Sequence, residues 1–245
     1  MAQAREYQTL LSATVLGVAL VVAAALGSCA IERVKTSQQT ITVTGSAKKQ
    51  IRSDLVIWRG WIAHQSGDMR VAYADLRASM AQLRAYLLEK GVAADQIVET
   101  SIQTYALHPT TDSGMESSEI LGYRLQQGVE IRSSDVDGIT RISREATELI
   151  DQGIALESGS PEYLYTRIQD VKVEMLAAAA RDAKLRAEQI ADATGNEIGS
   201  VRAARMGVLQ ITPAFSVEVS DYGINDTSSL EKDITAVVSM EFEIQ

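Results

Sequence analysis

The chain has 245 residues, 46% of them apolar and 22% charged, a globular balance that excludes the low-hydrophobicity, high-charge signature of disorder. Its formal net charge is −9 and its basic residues are scattered among acidic ones, so the positive footprint of a phosphate-backbone binder is missing and nucleic acid is not expected as a partner. The one cysteine, Cys29, excludes an intramolecular disulfide, and a cysteine-based metal cluster or thiol nucleophile in the residues that follow it.

From Leu10 to Ile31 the chain runs 22 residues without a charge. At about 1.5 Å per residue a helix of that length covers a hydrocarbon core of about 30 Å, so a transmembrane anchor in contact with the lipid bilayer is expected. Two other fates compete. Ser28-Cys29-Ala30 offers small residues suited to signal cleavage, and Leu26-Gly27-Ser28-Cys29 resembles a lipobox whose cysteine would be lipidated. The retained anchor is preferred because the run is longer than the roughly 7–15 apolar residues of a signal peptide. Arg5 precedes the span while Arg33 and Lys35 follow it, so the positive-inside rule by itself places the rest of the chain in the cytoplasm. Ala19, Ala23 and Gly27 recur every fourth residue, a small-residue face or ordinary alanine richness.

Thr36 to Thr40 reads as a polar linker. Ile41, Val43 and Gly45 alternate with Thr42 and Thr44 as a half-buried strand, and Leu55 to Ala63 is a second, its neighbour across a charged turn from Lys48 to Asp54. Met69, Ala72, Leu76, Met80, Leu83 and Leu87 then fall at spacings of three and four, the mark of an amphipathic helix, with Asp68 as N-cap and Gly91 as its left-handed stop. Ile97 to Leu107 reads as a strand, Pro109 to Glu119 as a loop and Tyr123 to Arg132 as a strand. Val136, Ile139, Ile142, Leu149 and Ile150 mark a second helix ending at Gly153, and Ile154 to Thr166 a strand interrupted by Gly159 and Pro161. The third helix spans about Arg167 to Thr194, with Ile168, Leu176, Ala179, Ala183, Ala187, Ile190 and Ala191 on one side and Gly195 as its stop. Val201 to Ile211 reads as a strand, Pro213 to Asp233 as a polar loop, and Ile234 to Ile244 as the closing strand. This mixed order argues an α+β fold, a mixed sheet with about three helices behind an N-terminal transmembrane helix, rather than a doubly wound parallel sheet. Residues 1–35 are then the anchor or signal-like segment, and 36–245 one α+β domain.

Three segments resemble the SIMPL-domain family of bacterial envelope proteins, which includes periplasmic and outer-membrane immunogenic proteins. They are Ile41-Thr42-Val43-Thr44-Gly45-Ser46-Ala47, the stretch Leu176 to Val201 with Ala183, Lys184, Ala187, Ala191, Gly195, Ile198, Gly199 and Val201, and the closing Ile234 to Phe242. The resemblance covers about Gln38 to Gln245. Many members carry Pro-Gly before the last strand, where this chain has Glu231-Lys232-Asp233, a departure that concerns the local turn. The resemblance implies an α+β fold, an envelope or periplasmic location, no established enzymatic activity, large ring-like homo-oligomers in some members, and a loose association with tolerance of oxidative stress. It carries over no catalytic residues.

The residues agree that chemistry is hard to find. A phosphate-cradling glycine loop, a Gly-x-Ser-x-Gly elbow and a His-Glu-x-x-His pair are all absent. His64 ends a strand and His108 precedes Pro109, isolated positions that suit surface or edge residues better than a triad or metal site. Asp221, Asn225 and Asp226 supply oxygen ligands without the spacing of an EF-hand loop. The neighbouring pairs Glu116 and Glu119, or Glu241 and Glu243, are what an acidic chain produces by chance. Trp58 and Trp61, three apart on a strand, point to opposite faces, which leaves one for the core and the other for surface exposure or a subunit contact.

No catalytic, cofactor-binding or metal residue is therefore assigned, no cofactor is expected, and the chain is not expected to be an enzyme. The expected function is a membrane-anchored envelope protein whose partner is itself, in a large, ring-like homo-oligomer. The alternative is a periplasmic ligand-binding or stress-protective module, monomeric or dimeric, that captures its ligand through the Pro109–Glu119 or Pro213–Asp233 loops. The expected location, inner membrane with the C-terminal domain in the periplasm, follows the resemblance against the charge count. Mass spectrometry of the membrane-extracted protein should find the Leu10–Ile31 segment retained. A mature N-terminus near Ile31, or a diacylated Cys29, would overturn the anchor.

Overall fold

The computed structural model describes residues 39–110 and 117–245. The expected Leu10–Ile31 span lies outside the described residues, as does the middle of the Pro109–Glu119 loop. Among the described residues no helix is long and apolar enough to cross a membrane.

In chain order the described elements are β1 (Thr40–Arg52), β2 (Leu55–Ser66), α1 (Met69–Glu89), β3 (Ile97–Glu99), β4 (Gln103–Leu107) and β5 (Gly122–Ser133). There follow α2 (Val136–Glu145), β6 (Leu156–Ser158), β7 (Glu162–Leu164), α3 (Ile168–Ala193), β8 (Ile198–Met206), β9 (Gln210–Pro213), β10 (Ile224–Asn225) and β11 (Glu231–Ile244). Among the described residues the fold is mixed α+β with three helices, as expected, and its strands form two sheets rather than one mixed sheet. Its contacts divide the described chain into two compact units. One holds residues 39–47, Val173–Val208 and Ala236–Gln245, the other Lys48–Lys172 and Leu209–Thr235.

The larger unit is built on a six-stranded sheet of order β3-β5-β2-β6, with β4 pairing β5 and β7 pairing β2. The antiparallel pair β2 and β5 runs from Val56 opposite Ser133 to Ser66 opposite Tyr123. Trp58, Ile62, Leu125 and Ile131 of this pair join Leu76, Leu83 and Leu87 of α1 and Ile139 and Ile142 of α2 in one core. Each of the three leucines buried on α1 contributes roughly 1.5–3 kcal/mol. Asp68 caps α1 by accepting from the Arg70 amide at 2.8 Å, and Gly91 follows with φ of 91°. The second helix is shorter than its periodicity suggests: α2 ends at Glu145 and continues as a 3-10 turn over Ala146–Gln152. Gly153 closes that turn with φ of 84°.

Five expectations are corrected. The charged stretch from Lys48 is strand rather than turn: β1 keeps its alternation through a buried Ile51 while Lys48, Gln50 and Arg52 occupy the exposed side, and the chain turns at Ser53-Asp54. Lys48 and Arg52 stand on the solvated side of the strand, where a charge costs little, which is why they do not mark a turn. Nor does β1 pair with β2, since β1 pairs β11 and β2 pairs β5, β6 and β7. The strand read over Ile97 to Leu107 is two strands separated at Thr100, whose amide donates to Gly128 O at 2.8 Å and whose hydroxyl accepts from Gly128 N at 2.9 Å. Val201 to Ile211 likewise divides into β8 and β9. Within the Pro213–Asp233 loop lies β10, pairing parallel with β9, and β11 begins at Glu231.

In the smaller unit, β11 pairs antiparallel with β8 from Val238 opposite Met206 to Ile244 opposite Ile198. Val43, Ala187 and Phe242 form its core, with Ile41, Ile198 and Met240 packed against it. The buried stripe of α3 consists of Val171, Met175, Ala179, Ala183, Ala187 and Ala191, while Ile190 is exposed. A strict fourth-residue spacing advances about 40° per step around a helix of 3.6 residues per turn, so the stripe winds and Ile190 falls off it. The alanines let α3 approach β1 until a Cβ at Gly45 would overlap the Ala179 carbonyl oxygen and the Ala183 amide nitrogen. Asp182 of the same helix accepts from the Ser46 amide at 2.8 Å. Gly45→Ala should therefore destabilise by about 1–3 kcal/mol through overpacking against backbone that cannot move aside, read as a lower denaturation midpoint. An unchanged midpoint would show that α3 has room to withdraw.

Candidate functional site

The candidate side chains for chemistry are held apart. His64 Nε2 lies 2.9 Å from Ser79 Oγ, and His108 Nδ1 lies 2.9 Å from the Glu119 carbonyl oxygen, each histidine in its own local bond. Glu241 accepts from Thr40 Oγ1 at 2.6 Å, and Glu243 pairs with Arg202. Glu116 lies outside the described residues. Trp58 and Trp61 do face opposite ways. Trp58 is buried and donates from Nε1 to Ser158 Oγ at 3.1 Å, while the half-buried ring of Trp61 lies against Gly128 and Gly159. Those glycines make room for the ring and take up part of its surface. Among the described residues no three His, Cys, Asp or Glu side chains gather as a metal set would.

A concentration of buried polar groups lies instead at the base of the 209–235 segment. Lys232 is 1% exposed, and its ammonium donates to the Asp226 carbonyl oxygen and, at 3.3 Å, to Asp226 Oδ2. Burial pushes the Asp226 carboxyl up, but hydrogen bonds from the Ser228 hydroxyl and amide and from Ser229, together with the Lys232 charge, outweigh it and hold the group at about 2. Burial lowers Lys232 below the usual lysine range, and Asp226 opposes that shift. Main-chain bonds stitch the same turn to its surroundings, from Tyr163 N to Thr227 O at 2.7 Å and from Ser53 N to Leu230 O at 2.9 Å. Asp233, next in sequence and also buried, pairs with Lys48 at 2.8 Å and accepts from the Phe215 amide at 2.7 Å. The Lys48 ammonium holds its carboxyl below the ordinary range despite that burial, with the Phe215 amide helping.

The polar base supports an apolar tip. Phe215, Val217, Val219 and Tyr222 are 85%, 92%, 80% and 97% exposed. Phe215 adopts φ of 65°, an unusual conformation for a residue other than glycine, with its amide fixed on Asp233. At the other end, buried Gln210 donates to the Ser220 carbonyl oxygen at 2.6 Å. The segment between is thus held at both ends while its large side chains stand in water. The expectation of a polar loop from Pro213 to Asp233 is corrected here: Asp226, Lys232 and Asp233 turn inward to anchor it, while Phe215, Val217, Val219 and Tyr222 face outward.

Beside Lys232 lies a recess of about 140 Å³ bordered by Tyr163, Tyr165, Ile211, Asn225 and Asp226. It brings together two of the three oxygen-bearing residues weighed for calcium, Asn225 and Asp226, but the Asp226 carboxylate is already engaged by Lys232. Sequence reasoning passed over Lys232 and Asp233 as site residues. Their one signal was the departure from Pro-Gly before the closing strand.

Residues 41–242 match the sequence profile of SIMPL, described as a protein of unknown function (DUF541). No curated protein matches the chain. Among solved structures, an amidase of the hydantoinase/carbamoylase family from Burkholderia phymatum aligns at 14% identity, over 53% of this chain and 32% of its own, with a TM-score of 0.27. Its counterpart from Burkholderia multivorans aligns at 16% identity over 49% and 28%, with a TM-score of 0.23. A hydrolase from Listeria innocua aligns at 9% identity over 81% and 91%, with a TM-score of 0.17. This chain thus spans about a third or less of the two amidases, and at these TM-scores none of the three bears on its fold or activity.

The buried pair sets a stability test. Lys232→Met leaves the Asp226 carboxylate without its ammonium and should cost about 3–5 kcal/mol at neutral pH. In the wild type, the Asp226 carboxyl is depressed from 3.8 to about 2, so its stabilisation is complete above pH 4 and is lost as pH falls through 2, when the unfolded chain takes up the proton first. Denaturation midpoints at pH 7 and pH 2 should show the Lys232→Met deficit shrinking in acid. A deficit equal at both would mean that Lys232 acts through packing alone.

Proposed function

The chain belongs to the SIMPL family, a family of unknown function, and from that premise we propose that it is a non-enzymatic, membrane-tethered envelope protein that self-assembles into a large, ring-like homo-oligomer. The observation that carries this reading is the anchored apolar tip. Scattered exposed apolar residues are ordinary, but four large ones, 80–97% exposed, lie within the eight residues from Phe215 to Tyr222. Side chains so placed gain free energy only by meeting another surface, and the buried polar base keeps them from collapsing inward.

The 22-residue apolar run at the N-terminus supports the same reading, because an anchor confines every copy to one plane and raises its effective concentration. Weak lateral contacts then suffice. A heterologous contact repeated between identical subunits closes into a ring or continues as a filament, and the ring is the form that the family resemblance implies. The resemblance also favours the periplasm as the compartment, with the anchor in the inner membrane. A second reading, a periplasmic ligand-binding or oxidative-stress-protective module acting as monomer or dimer, draws on the recess beside Lys232.

Light scattering separates the two. The full-length protein in detergent, and a chain beginning at Thr36, should both give masses of many subunits, and Phe215→Ser, Val217→Ser and Val219→Ser combined should lower them. Monomeric masses for both unsubstituted forms would overturn assembly and favour the ligand-binding reading.

A further inference from the structure

We infer that the Ser216–Ser220 segment of one copy adds as a strand to the outer edge of β8 in a second copy, a contact that rests on the self-assembly reading and specifies it. Among the described residues β8 pairs with β11 alone, so the backbone groups along its other side have no strand partner over nine residues. An unpaired edge of that length is a template for another chain unless proline, a bulge or a covering element blunts it. The strand contains no proline, and its register with β11 shifts on both sides of Val201, so the regular, unblunted part of the edge is Ala203 to Met206.

The two faces of β8 differ. Met206, Ala204 and Val201 stand opposite Val238, Met240 and Phe242 of β11, whose side chains pack toward the core, whereas Arg205 and Ala203 stand opposite Ser239 and Glu241 on the other face. Val201 and Met206 are nevertheless 49% and 67% exposed, an apolar margin left uncovered along the edge. The Ser216–Ser220 segment has the matching pattern. Paired as a strand, with a period of two, the segment would place Val217 and Val219 on one side and Glu218 on the other. Laid along Ala203–Met206 with Glu218 opposite Arg205, the valines would stand opposite Ala204 and Met206.

Charge agrees with pattern. The segment and its flank carry Glu218 and Asp221, the strand carries Arg202 and Arg205, and basic residues are the minority in a chain of net charge −9. Arg202 already pairs with Glu243, whereas Arg205 has no ion-pair partner among the described residues. The main chain is available as well: the Val217 and Val219 amides make no hydrogen bond among the described residues. Because Asp233 and Gln210 fix both ends of the segment, little ordering entropy remains to be lost on pairing. Segment and edge belong to different parts of the sequence, and the contact repeated head-to-tail closes a ring.

The test uses full-length protein in detergent, with mass by light scattering and folding checked by circular dichroism. Glu218→Arg and Arg205→Glu should each reduce the assembly to monomers, and the two substitutions together should restore it. If the wild type assembles and both single variants assemble equally well, or if the double variant fails to recover, the pairing is overturned while self-assembly stands. A monomeric wild type would overturn both.

Discussion

An ammonium group withdrawn from water needs oxygen partners close at hand, and Lys232 finds both of its partners on one residue, Asp226, through the main-chain carbonyl and the carboxylate. That requirement shapes the 226–232 turn. To accept from Ser228 and Ser229 and from Lys232 at once, Asp226 must point inward, and the chain must double back within six residues. Asp233, one residue later on a strand, points the opposite way from Lys232 and reaches Lys48 and the Phe215 amide. Two adjacent charged residues thus anchor two different turns, a consequence of the strand's period of two.

The apolar tip follows from this anchoring. A free loop with three or four large hydrophobic side chains would fold them against the nearest core. Here the amide at Phe215 and the carbonyl at Ser220 are both engaged, so the side chains between cannot turn inward without breaking bonds to buried groups. Losing a hydrogen bond to a buried charge such as Asp233 costs about 1.5–3 kcal/mol, comparable to what burying one valine would gain. Exposure of the tip is therefore stable as long as its polar base stays intact.

Much of the fold was legible in the sequence. Period-3.6 patterns placed all three helices, and the left-handed glycines Gly91, Gly153 and Gly195 stand where helical segments were expected to stop. The misreadings share a cause. Lys48 to Asp54 reads as a turn because charges cluster there, although Lys48, Gln50 and Arg52 occupy the solvent side of one strand. Pro213 to Asp233 reads as a polar loop because composition does not say which way side chains point. In the first case alternation outweighs charge, and in the second, long-range bonds bury Lys232 and Asp233 and leave Phe215, Val217, Val219 and Tyr222 in water.

By itself the sequence determined the family, the α+β class, the helix positions and the amphipathic faces, because these depend on local periodicity and on terminating residues within a few positions of one another. Tertiary structure alone decided strand pairing and the burial of Lys232. Nothing local distinguishes β11 from β2 as the partner of β1, and a lysine between Glu231 and Asp233 reads as solvated surface until a carbonyl and a carboxylate six residues away are brought to meet it. Such meetings are settled by which distant groups the fold brings together, and period and composition carry no information about them.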